Sequence, residues 1–170
     1  MRIGIFGGSF DPVHNGHVGI ARKAIGEFGL DRLLVIPASV SPFKTDRPPA
    51  LSYDRLALVR AAFADVPKAV VDDRELRRGG VSYAIDTVRA VRDENPGAEL
   101  VFLIGEDSVE GLPRWKDYGE LVKLCTFRSF PRTPESSTEV RRRLAAGESV
   151  ADLVPAGVAV LLGQSRLHLL

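Results

Sequence analysis

Cysteine is almost absent from this sequence, and so are long hydrophobic runs. Cys125 is the only cysteine among 170 residues, which excludes an internal disulfide framework and a zinc site built from several thiolates. No stretch of about 18 or more apolar residues could span a bilayer, and the N-terminal apolar run is too short for a signal peptide. We therefore expect a soluble, cytoplasmic protein that does not associate with membranes.

The sequence also lacks an excess of charge of either sign. Lys and Arg total 23 and Asp and Glu total 22, which gives a formal net charge of +1. Proteins that bind nucleic acid or anionic membranes through general electrostatics carry a clear positive excess. No basic stripe interleaved with aromatic residues is present either. The composition therefore argues against nucleic acid as a partner.

The length of 170 residues predicts one domain, spanning residues 1–170, with a core large enough to fold without a metal or a disulfide. Strands are predicted at residues 2–6, 33–37, 69–71 and 100–104, with a weaker one at 125–130. Helices are predicted at residues 15–29, after Ser52, at 82–93, 117–124 and 136–146, and from Pro155 onwards. Strands that alternate with helices are typical of parallel βαβ units. We therefore predict an α/β fold with a doubly wound, Rossmann-like parallel sheet.

The turn after the first predicted strand, GGSFDPVHNGH at residues 7–17, has the features of a phosphate-binding site. Its two adjacent glycines let the backbone come close to a ligand and present N–H groups to an anion. His14 and His17 lie three residues apart at a helix start, so they share a face, and the helix dipole adds positive potential there. Gly16 between them leaves room for a bulky group such as a phosphate chain or a base.

Other interpretations of this turn stay open. Two glycines after a strand often form a plain turn, and the sequence matches neither the GxGxxG fingerprint nor the P-loop, which requires GK[ST]. The two histidines could bind a metal, but such a pair needs a third ligand nearby, and the third histidine is distant in sequence, at His168. They could also be structural residues. Of these alternatives we favour contact between the imidazoles and a phosphate.

A second motif, SSTEVR at residues 136–141, lies far along the chain. By itself it is a capping box, with Ser136 as the N-cap and Glu139 three residues later. The same segment also suits an anion, because hydroxyl groups, free N–H groups and Arg141 meet at one helix N-terminus. Both interpretations are compatible with the sequence.

The two motifs together resemble those of the nucleotidyltransferase superfamily that carries HxGH and SSTxxR. Three more segments resemble the nicotinate-nucleotide adenylyltransferases within it. These segments are SPFK at 41–44, where the family has PPHK, SYAIDT at 82–87, where it has SYTIDT, and GEDS at 105–108 followed by Trp115, where it has GADS and a tryptophan. The departures from the family pattern within them are Phe43, Ala84 and Glu106. The resemblance covers nearly the whole chain.

The resemblance implies adenylyl transfer from ATP to nicotinate mononucleotide, which yields nicotinate adenine dinucleotide (deamido-NAD) and pyrophosphate in NAD biosynthesis. The implied catalytic residues are His14, His17, Lys44 and Arg141. The implied ATP-binding residues are Gly8, Ser9, Phe10, His14, His17, Arg132, Ser136, Ser137, Thr138 and Arg141. The implied acceptor-binding residues are Lys44, Ser82, Tyr83, Thr87, Asp107 and Trp115. Mg²⁺ is expected to arrive with ATP rather than in a metal site of the protein.

The implied acceptor residues are chemically suited to a pyridine mononucleotide. Trp115, the only tryptophan, suits stacking on a pyridine ring, and the helix start near Ser82 suits a carboxylate. Asp107 suits ribose hydroxyls, and Lys44, in the proline-rich loop at residues 41–49, suits phosphate charge. Each residue also has a structural alternative: core packing for the tryptophan, a turn or cap for the aspartate, and a solvated surface for the lysine.

One segment is shorter than the resemblance leads us to expect. Family members carry a longer stretch between the Pro-Arg pair after the fifth strand and SSTxxR, whereas only residues 133–135 separate Arg132 from Ser136 here. A crossover and another strand are therefore expected to be missing. The missing segment, together with Phe43, Ala84 and Glu106, leaves open a nucleotide-binding homologue with impaired catalysis. A separate alternative is a related adenylyltransferase that acts on nicotinamide mononucleotide or another phosphorylated acceptor. The chain could form a homo-oligomer, and the sequence favours no particular state.

Overall fold

A computed structural model provides the structure of the protein and describes residues 1–45 and 52–165. These residues form a parallel five-stranded sheet with helices on both faces. The strands are β1 (Arg2–Gly8), β2 (Arg32–Pro37), β3 (Ala69–Val71), β4 (Glu99–Gly105) and β5 (Thr126–Phe130). The helices are α1 (Asn15–Glu27), α2 (Ser52–Phe63), α3 (Arg74–Arg78), α4 (Ala84–Glu94), α5 (Tyr118–Leu124), α6 (Ser137–Ala145) and α7 (Ala156–Ser165). No helix within the described ranges is long and apolar enough to cross a membrane.

The strand order places the switch point of the sheet beside β1. The order is β3-β2-β1-β4-β5, so the chain builds one half of the sheet from β1 to β3 and then crosses to the other side of β1. Gly8 lies opposite Pro37 of β2, and Phe6 lies opposite Leu103 of β4. The predicted doubly wound parallel sheet is therefore confirmed. Ligands of such sheets bind beyond the carboxyl ends of the strands at this point, which is the edge after Gly8 and Gly105.

Side chains of the central strands alternate between two buried cores. Ile3 and Ile5 of β1 belong to the core that includes α4 and α5, whereas Phe6 belongs to the core that includes α1, α2, α6 and α7. Strands that are buried on both faces are apolar at almost every position. This explains why the runs LLVIP and LVFLI are recognisable as strands from the sequence alone.

The start of α4 differs from the helix predicted at residues 82–93. The helix begins at Ala84, and Tyr83 before it has an extended backbone. The physical reason is a parallel bridge between Val40 and Val81, next to which the N–H of Ser82 donates to the carbonyl of Val40 at 2.8 Å. The chain just before α4 is therefore tied to the loop after β2 and cannot begin the helix earlier.

The connection between β5 and α6 is short, as its sequence indicates. β5 ends at Phe130 and α6 begins at Ser137. Within the part of the chain that the structure describes, no strand pairs with the outer edge of β5. The chain therefore returns directly from the edge strand to the carboxyl ends of the central strands.

A buried arginine of α2 joins two turns at this edge of the sheet. Arg55 is 0% exposed, and its guanidinium donates to the carbonyl oxygens of Ser9 at 2.6 Å and Ser39 at 3.3 Å. Burial lowers the pKa of Arg55, and the negative charge of Asp11 opposes this effect. Arg55 therefore links the turn after β1 to the loop after β2, next to the backbone hydrogen bond from Ala38 to Gly8.

We expect the substitution Arg55→Met to lower the free energy of unfolding by about 2–4 kcal/mol, because two buried carbonyls would lose a charged donor. Urea denaturation measured by circular dichroism tests this. Arg60→Met on the same helix is the control, because the Arg60 side chain is 60% exposed and its loss should change stability by less than about 0.5 kcal/mol. Equal urea midpoints for the two variants would contradict the prediction.

Candidate active site

A cleft of about 770 Å³ opens beyond the carboxyl ends of β1 and β4. The ends of these strands, the loop after β2, the start of α4 and the segment after β4 line it. The lining includes these residues that the sequence predicts for binding: Gly8, Ser9, Lys44, Ser82, Tyr83, Asp107 and Trp115. The structure therefore brings most of the predicted acceptor residues together at the edge where the fold is expected to bind a ligand.

Aromatic side chains form one wall of the cleft. The ring centroid of Trp115 lies 5.8 Å from that of Phe102 and 6.1 Å from that of Phe43. Phe43 is 64% exposed, and the Nζ atom of Lys116 lies 4.5 Å from the ring centroid of Tyr83. This wall offers flat apolar surfaces to a planar ring and a positive charge at its border.

The N-terminus of α4 meets the same part of the cleft. Tyr83 is the N-cap of α4 and its side chain makes no capping hydrogen bond. Tyr83 and Ala84 both line the cleft. The first N–H groups of a helix have no intrahelical acceptor and favour a negative charge. This position is therefore suited to a carboxylate on a ring that lies against the aromatic wall.

A buried carboxyl behind this wall is a residue that the sequence did not reveal. Glu75 lies on α3, a short helix that no sequence pattern predicts, and it is 6% exposed at the border of the cleft. The hydroxyl of Thr87 donates to Glu75 at 2.6 Å. Burial raises the pKa of Glu75, and hydrogen bonds from Thr87 and Ser82 oppose this effect. Thr87 is 1% exposed and does not line the cleft, so the structure places this predicted acceptor residue against Glu75 instead.

The two histidines of the first motif cap α1 and stack on each other. The Nδ1 atom of His14 accepts from the N–H of Gly16 at 3.1 Å, and the Nδ1 atom of His17 accepts from the N–H of His14 at 3.0 Å. The ring centroids lie 3.7 Å apart with an angle of 29° between the planes. Since Nδ1 accepts in both rings, each neutral imidazole carries its proton on Nε2. Each ring therefore keeps one N–H donor for a ligand.

Both histidines are uncharged near neutral pH. Burial lowers the pKa of His14 to about 4, and the negative charge of Glu135 only partly opposes this effect. Burial also lowers the pKa of His17 well below its ordinary value, and electrostatic repulsion from Lys44, and from His14 once it is protonated, lowers it further. Lys44 is exposed on the loop after β2, and its charge reaches His17 electrostatically. The rest of the proline-rich loop predicted at residues 41–49 lies outside the described residues after Thr45.

The N-terminus of α6 brings the second motif to the first. Ser136 caps the helix by accepting from the N–H of Glu139 at 3.1 Å. The hydroxyl of Ser137 donates to the carbonyl of Pro12 at 2.8 Å, and the guanidinium of Arg141 donates to the carbonyl of Asp11. Ser136 is therefore the N-cap as predicted, but the carboxylate of Glu139 pairs with Arg142 and Arg143 and does not complete the capping box. The same helix start is also held against the turn after β1. Arg141 also donates to Thr138 at 3.3 Å, so Thr138 lies at this junction too.

The space over Gly16 is occupied by the chain itself. A methyl group placed on the Cα of Gly16 would lie 2.1 Å from Oγ1 and 2.9 Å from Cβ of Thr133. Thr133 belongs to residues 131–135, the segment between β5 and α6 that we call the strap. The sequence predicts that Gly16 leaves room for a phosphate chain or a base. In this conformation that room is filled, because the short connection passes directly over the helix start.

Several predicted residues lie outside the cleft or cannot reach a ligand with their side chains. Phe10 is 2% exposed and packs edge-on against Phe6, His17 and Phe63, so only its backbone is available. Arg132 is exposed and pairs with Asp107 at 3.3 Å across the mouth of the cleft. The predicted ATP residues that do not line the cleft are Phe10, His14, His17, Arg132, Ser136, Ser137, Thr138 and Arg141. Of the first motif, therefore, only Gly8 and Ser9 among the predicted ATP residues line the cleft.

Metal ligands are not grouped in the part of the chain that the structure describes. Across residues 1–45 and 52–165, no three His, Cys, Asp or Glu side chains lie together in a way that could hold a metal ion.

Comparison with known proteins identifies relatives over almost the whole chain. The cytidylyltransferase-like family matches residues 5–143. A protein of Gemmatimonas aurantiaca named probable nicotinate-nucleotide adenylyltransferase is 37% identical over 196 residues, which cover 99% of this chain and 92% of that protein. A protein of the same name from Chlorobaculum tepidum is 37% identical over 195 residues, with 99% of each chain covered. Both alignments are longer than the 170-residue chain, so both relatives contain residues without a counterpart here.

A solved structure has the same fold. Nicotinic acid mononucleotide adenylyltransferase of Plasmodium falciparum, complexed with NaAD, superposes with a TM-score of 0.80 over 98% of this chain and 97% of that chain. The sequences are 15% identical, so this likeness concerns the fold alone.

We expect the imidazole of His14 to titrate near pH 4 in the folded protein, against an ordinary value of 6.5. Between these pH values the unfolded chain binds a proton that the folded chain does not, so stability falls as the pH decreases from 6.5 towards 4 and is constant below. NMR titration of the ring signals measures the pKa, and the ¹⁵N shifts report the tautomer. The same residue in urea is the control and should titrate near 6.5. A folded-state pKa near that of the urea control would contradict the prediction.

Proposed function

Because the chain belongs to the nicotinate-nucleotide adenylyltransferase family, within the cytidylyltransferase-like proteins, we propose that it transfers the adenylyl group of ATP to nicotinate mononucleotide. The products are nicotinate adenine dinucleotide and pyrophosphate, as NAD biosynthesis requires. One structural observation carries the proposal. The HxGH turn and the SSTxxR helix start, more than a hundred residues apart in sequence, meet beside an aromatic cleft at the switch point of the sheet.

The reaction needs alignment and charge stabilisation more than proton transfer. A phosphate oxygen of the mononucleotide attacks the α-phosphorus of ATP, and the bond from this phosphorus to the bridging oxygen breaks, so that pyrophosphate leaves with the electron pair. The attacking phosphate is already an anion near neutral pH, so no general base is required. The protein must hold the two substrates in line and stabilise negative charge on the phosphates.

We assign charge stabilisation to donors from both motifs. The Nε2–H groups of His14 and His17 remain available, since both Nδ1 atoms accept from the backbone. Lys44 and Arg141 supply positive charge from opposite sides of the turn. Hydrogen bonds to a developing charge gain strength in a site that excludes water. Arg141 would exchange its hydrogen bond to the carbonyl of Asp11 for one to a phosphate.

We assign the acceptor to the aromatic half of the cleft. The pyridine ring would lie against Trp115, its carboxylate at the N-terminus of α4 beside Ser82 and Tyr83, and its ribose near Asp107. Thr87 would act indirectly, through its hydrogen bond to Glu75. The distance from this half to the histidines is then bridged by the phosphate of the mononucleotide.

Mg²⁺ is part of the nucleotide substrate in this proposal. Mg²⁺ keeps several water ligands and is commonly bound through substrate phosphates rather than by a cage of protein ligands. When bound, it would neutralise charge on the β- and γ-phosphates.

A second candidate function is nucleotide binding without catalysis. The observation in its favour is Thr133, which occupies the space over Gly16. A homologue with a permanently closed phosphate site could bind a mononucleotide in the cleft and never react with ATP.

The product assay separates these functions. We expect pyrophosphate release and a dinucleotide product with ATP and nicotinate mononucleotide, and neither with flavin mononucleotide or phosphopantetheine, which lack the pyridine carboxylate. Nicotinamide mononucleotide, tested in parallel, reports how much the carboxylate contributes. Binding of ATP by calorimetry without pyrophosphate release from any acceptor would reject the transferase and support the second candidate.

We expect His17→Asn to lower kcat by about 10²-fold, since it removes one donor to the phosphates. Asparagine can still accept from the N–H of His14, as Nδ1 does at 3.0 Å, so the fold should be retained. Steady-state kinetics and the melting temperature are measured together. Thr126→Ala, at an exposed position of β5, is the control and should have wild-type kinetics. A wild-type kcat for His17→Asn would refute the assigned role.

A further inference from the structure

Thr133 of the strap lies directly over Gly16, the one position of the HxGH motif that has no side chain. Thr133 lies over Gly16 so tightly that a single methyl group on the glycine could not fit. Gly16 itself is buried between the two histidines at the start of α1. A ligand that approaches the histidine pair over Gly16 therefore meets Thr133 first.

The negative charge of Glu135 in the strap opposes a phosphate as well. The carboxylate of Glu135 lies close enough to His14 to act on it electrostatically. Glu135 is half-buried, and Thr133 donates to its carbonyl at 3.1 Å, which holds the two residues in one local turn. The strap thus places a negative charge beside the imidazole that is suited to contact an anionic ligand.

The strap is attached firmly at its ends and weakly in between. Phe130 before it is buried, and Ser137 after it is bonded to Pro12. Between them, Arg132 pairs with Asp107, but the two side chains are 84% and 57% exposed. Exposed ion pairs contribute little to stability. The middle of the strap can therefore move away from Gly16 without unfolding β5 or α6.

We propose that the strap is an intramolecular competitor of ATP, so that Thr133 and Glu135 determine the affinity of the phosphate site for the triphosphate. This inference rests on the proposed function. In the closed state Thr133 fills the space and Glu135 supplies negative charge. ATP binds after the strap leaves Gly16. The apparent affinity for ATP is therefore the affinity of the open state multiplied by the fraction of molecules that are open.

The experiment compares ATP affinity among full-length variants by calorimetry in the presence of Mg²⁺. Thr133→Ala removes the hydroxyl that lies over Gly16, and Glu135→Gln removes the charge at nearly constant shape. If the strap is closed in about nine of ten molecules, the double variant should bind ATP about tenfold more tightly than the wild type, and each single variant about threefold. The effect of Glu135→Gln on ATP affinity should decrease at high salt, because salt screens the repulsion between the Glu135 carboxylate and the phosphates.

Matched controls use the same substitutions elsewhere. Thr126→Ala changes an exposed threonine of β5, and Glu27→Gln removes one negative charge from the exposed end of α1, roughly 18 Å from its start. Both controls should have the wild-type Kd. Hydrogen exchange of the peptide that contains the strap is a second measurement: ATP should speed exchange at residues 132–135.

The outcomes distinguish failure of the strap proposal from failure of the proposed transferase function. Tighter ATP binding by the double variant than by the wild type supports the proposal. Binding of ATP by the double variant when the wild type shows none supports it as well. Equal Kd values for wild type and double variant overturn the strap as a competitor and leave the transferase intact. Weaker binding overturns it too, because Thr133 and Glu135 would then be part of the ATP site. Absence of ATP binding in both forms overturns the proposed function together with the strap.

Discussion

The guanidinium of Arg55 is the interaction on which the geometry of the site depends. It lies in the interior and donates to Ser9 and Ser39, which follow β1 and β2. The N–H of Ala38 donates to the carbonyl of Gly8 at 2.8 Å, and Arg55 extends this backbone pairing at the strand ends into the two loops. A buried positive charge is costly unless acceptors surround it. That cost works in favour of a single arrangement, because movement of either loop would weaken one of the two hydrogen bonds to this buried charge.

A line of polar contacts extends from this arginine to the acceptor half of the cleft. The N–H of Ser39 donates to the hydroxyl oxygen of Ser82 at 3.0 Å, and the Ser82 hydroxyl contributes to the environment of Glu75. Thr87 completes the set from the first turns of α4. The position of the N-terminus of α4 is therefore coupled to the turn that carries Ser9. The turn after β1 and the N-terminus of α4 therefore belong to one hydrogen-bonded unit, although they follow different strands.

The fold and the places of the two motifs at the helix starts can be predicted from the sequence. The prediction fails for residues whose position depends on packing between distant parts of the chain. Buried parallel strands have recognisable apolar runs, and the HxGH turn identifies the switch point beside β1. Arg55 and Glu75 are not found in this way, because a charged residue in a helical pattern indicates a solvated surface. The place of Thr133 over Gly16 could not be found either. The sequence contains the short connection, but only the folded chain shows where that connection passes.

The neutral state of the histidine pair has a consequence for how the site binds charge. Two protonated rings with centroids 3.7 Å apart would repel each other strongly, and burial adds to the cost of each charge. Neutral Nε2–H groups avoid that cost, and their donor capacity stays constant over the whole neutral pH range because neither ring titrates there. Net positive charge then has to come from flexible or displaceable groups, which are Lys44 on its loop and Arg141 on α6. In the proposed function, the site thus keeps fixed, uncharged donors at its centre, and positive charge comes close to the phosphate only when Lys44 and Arg141 turn towards it.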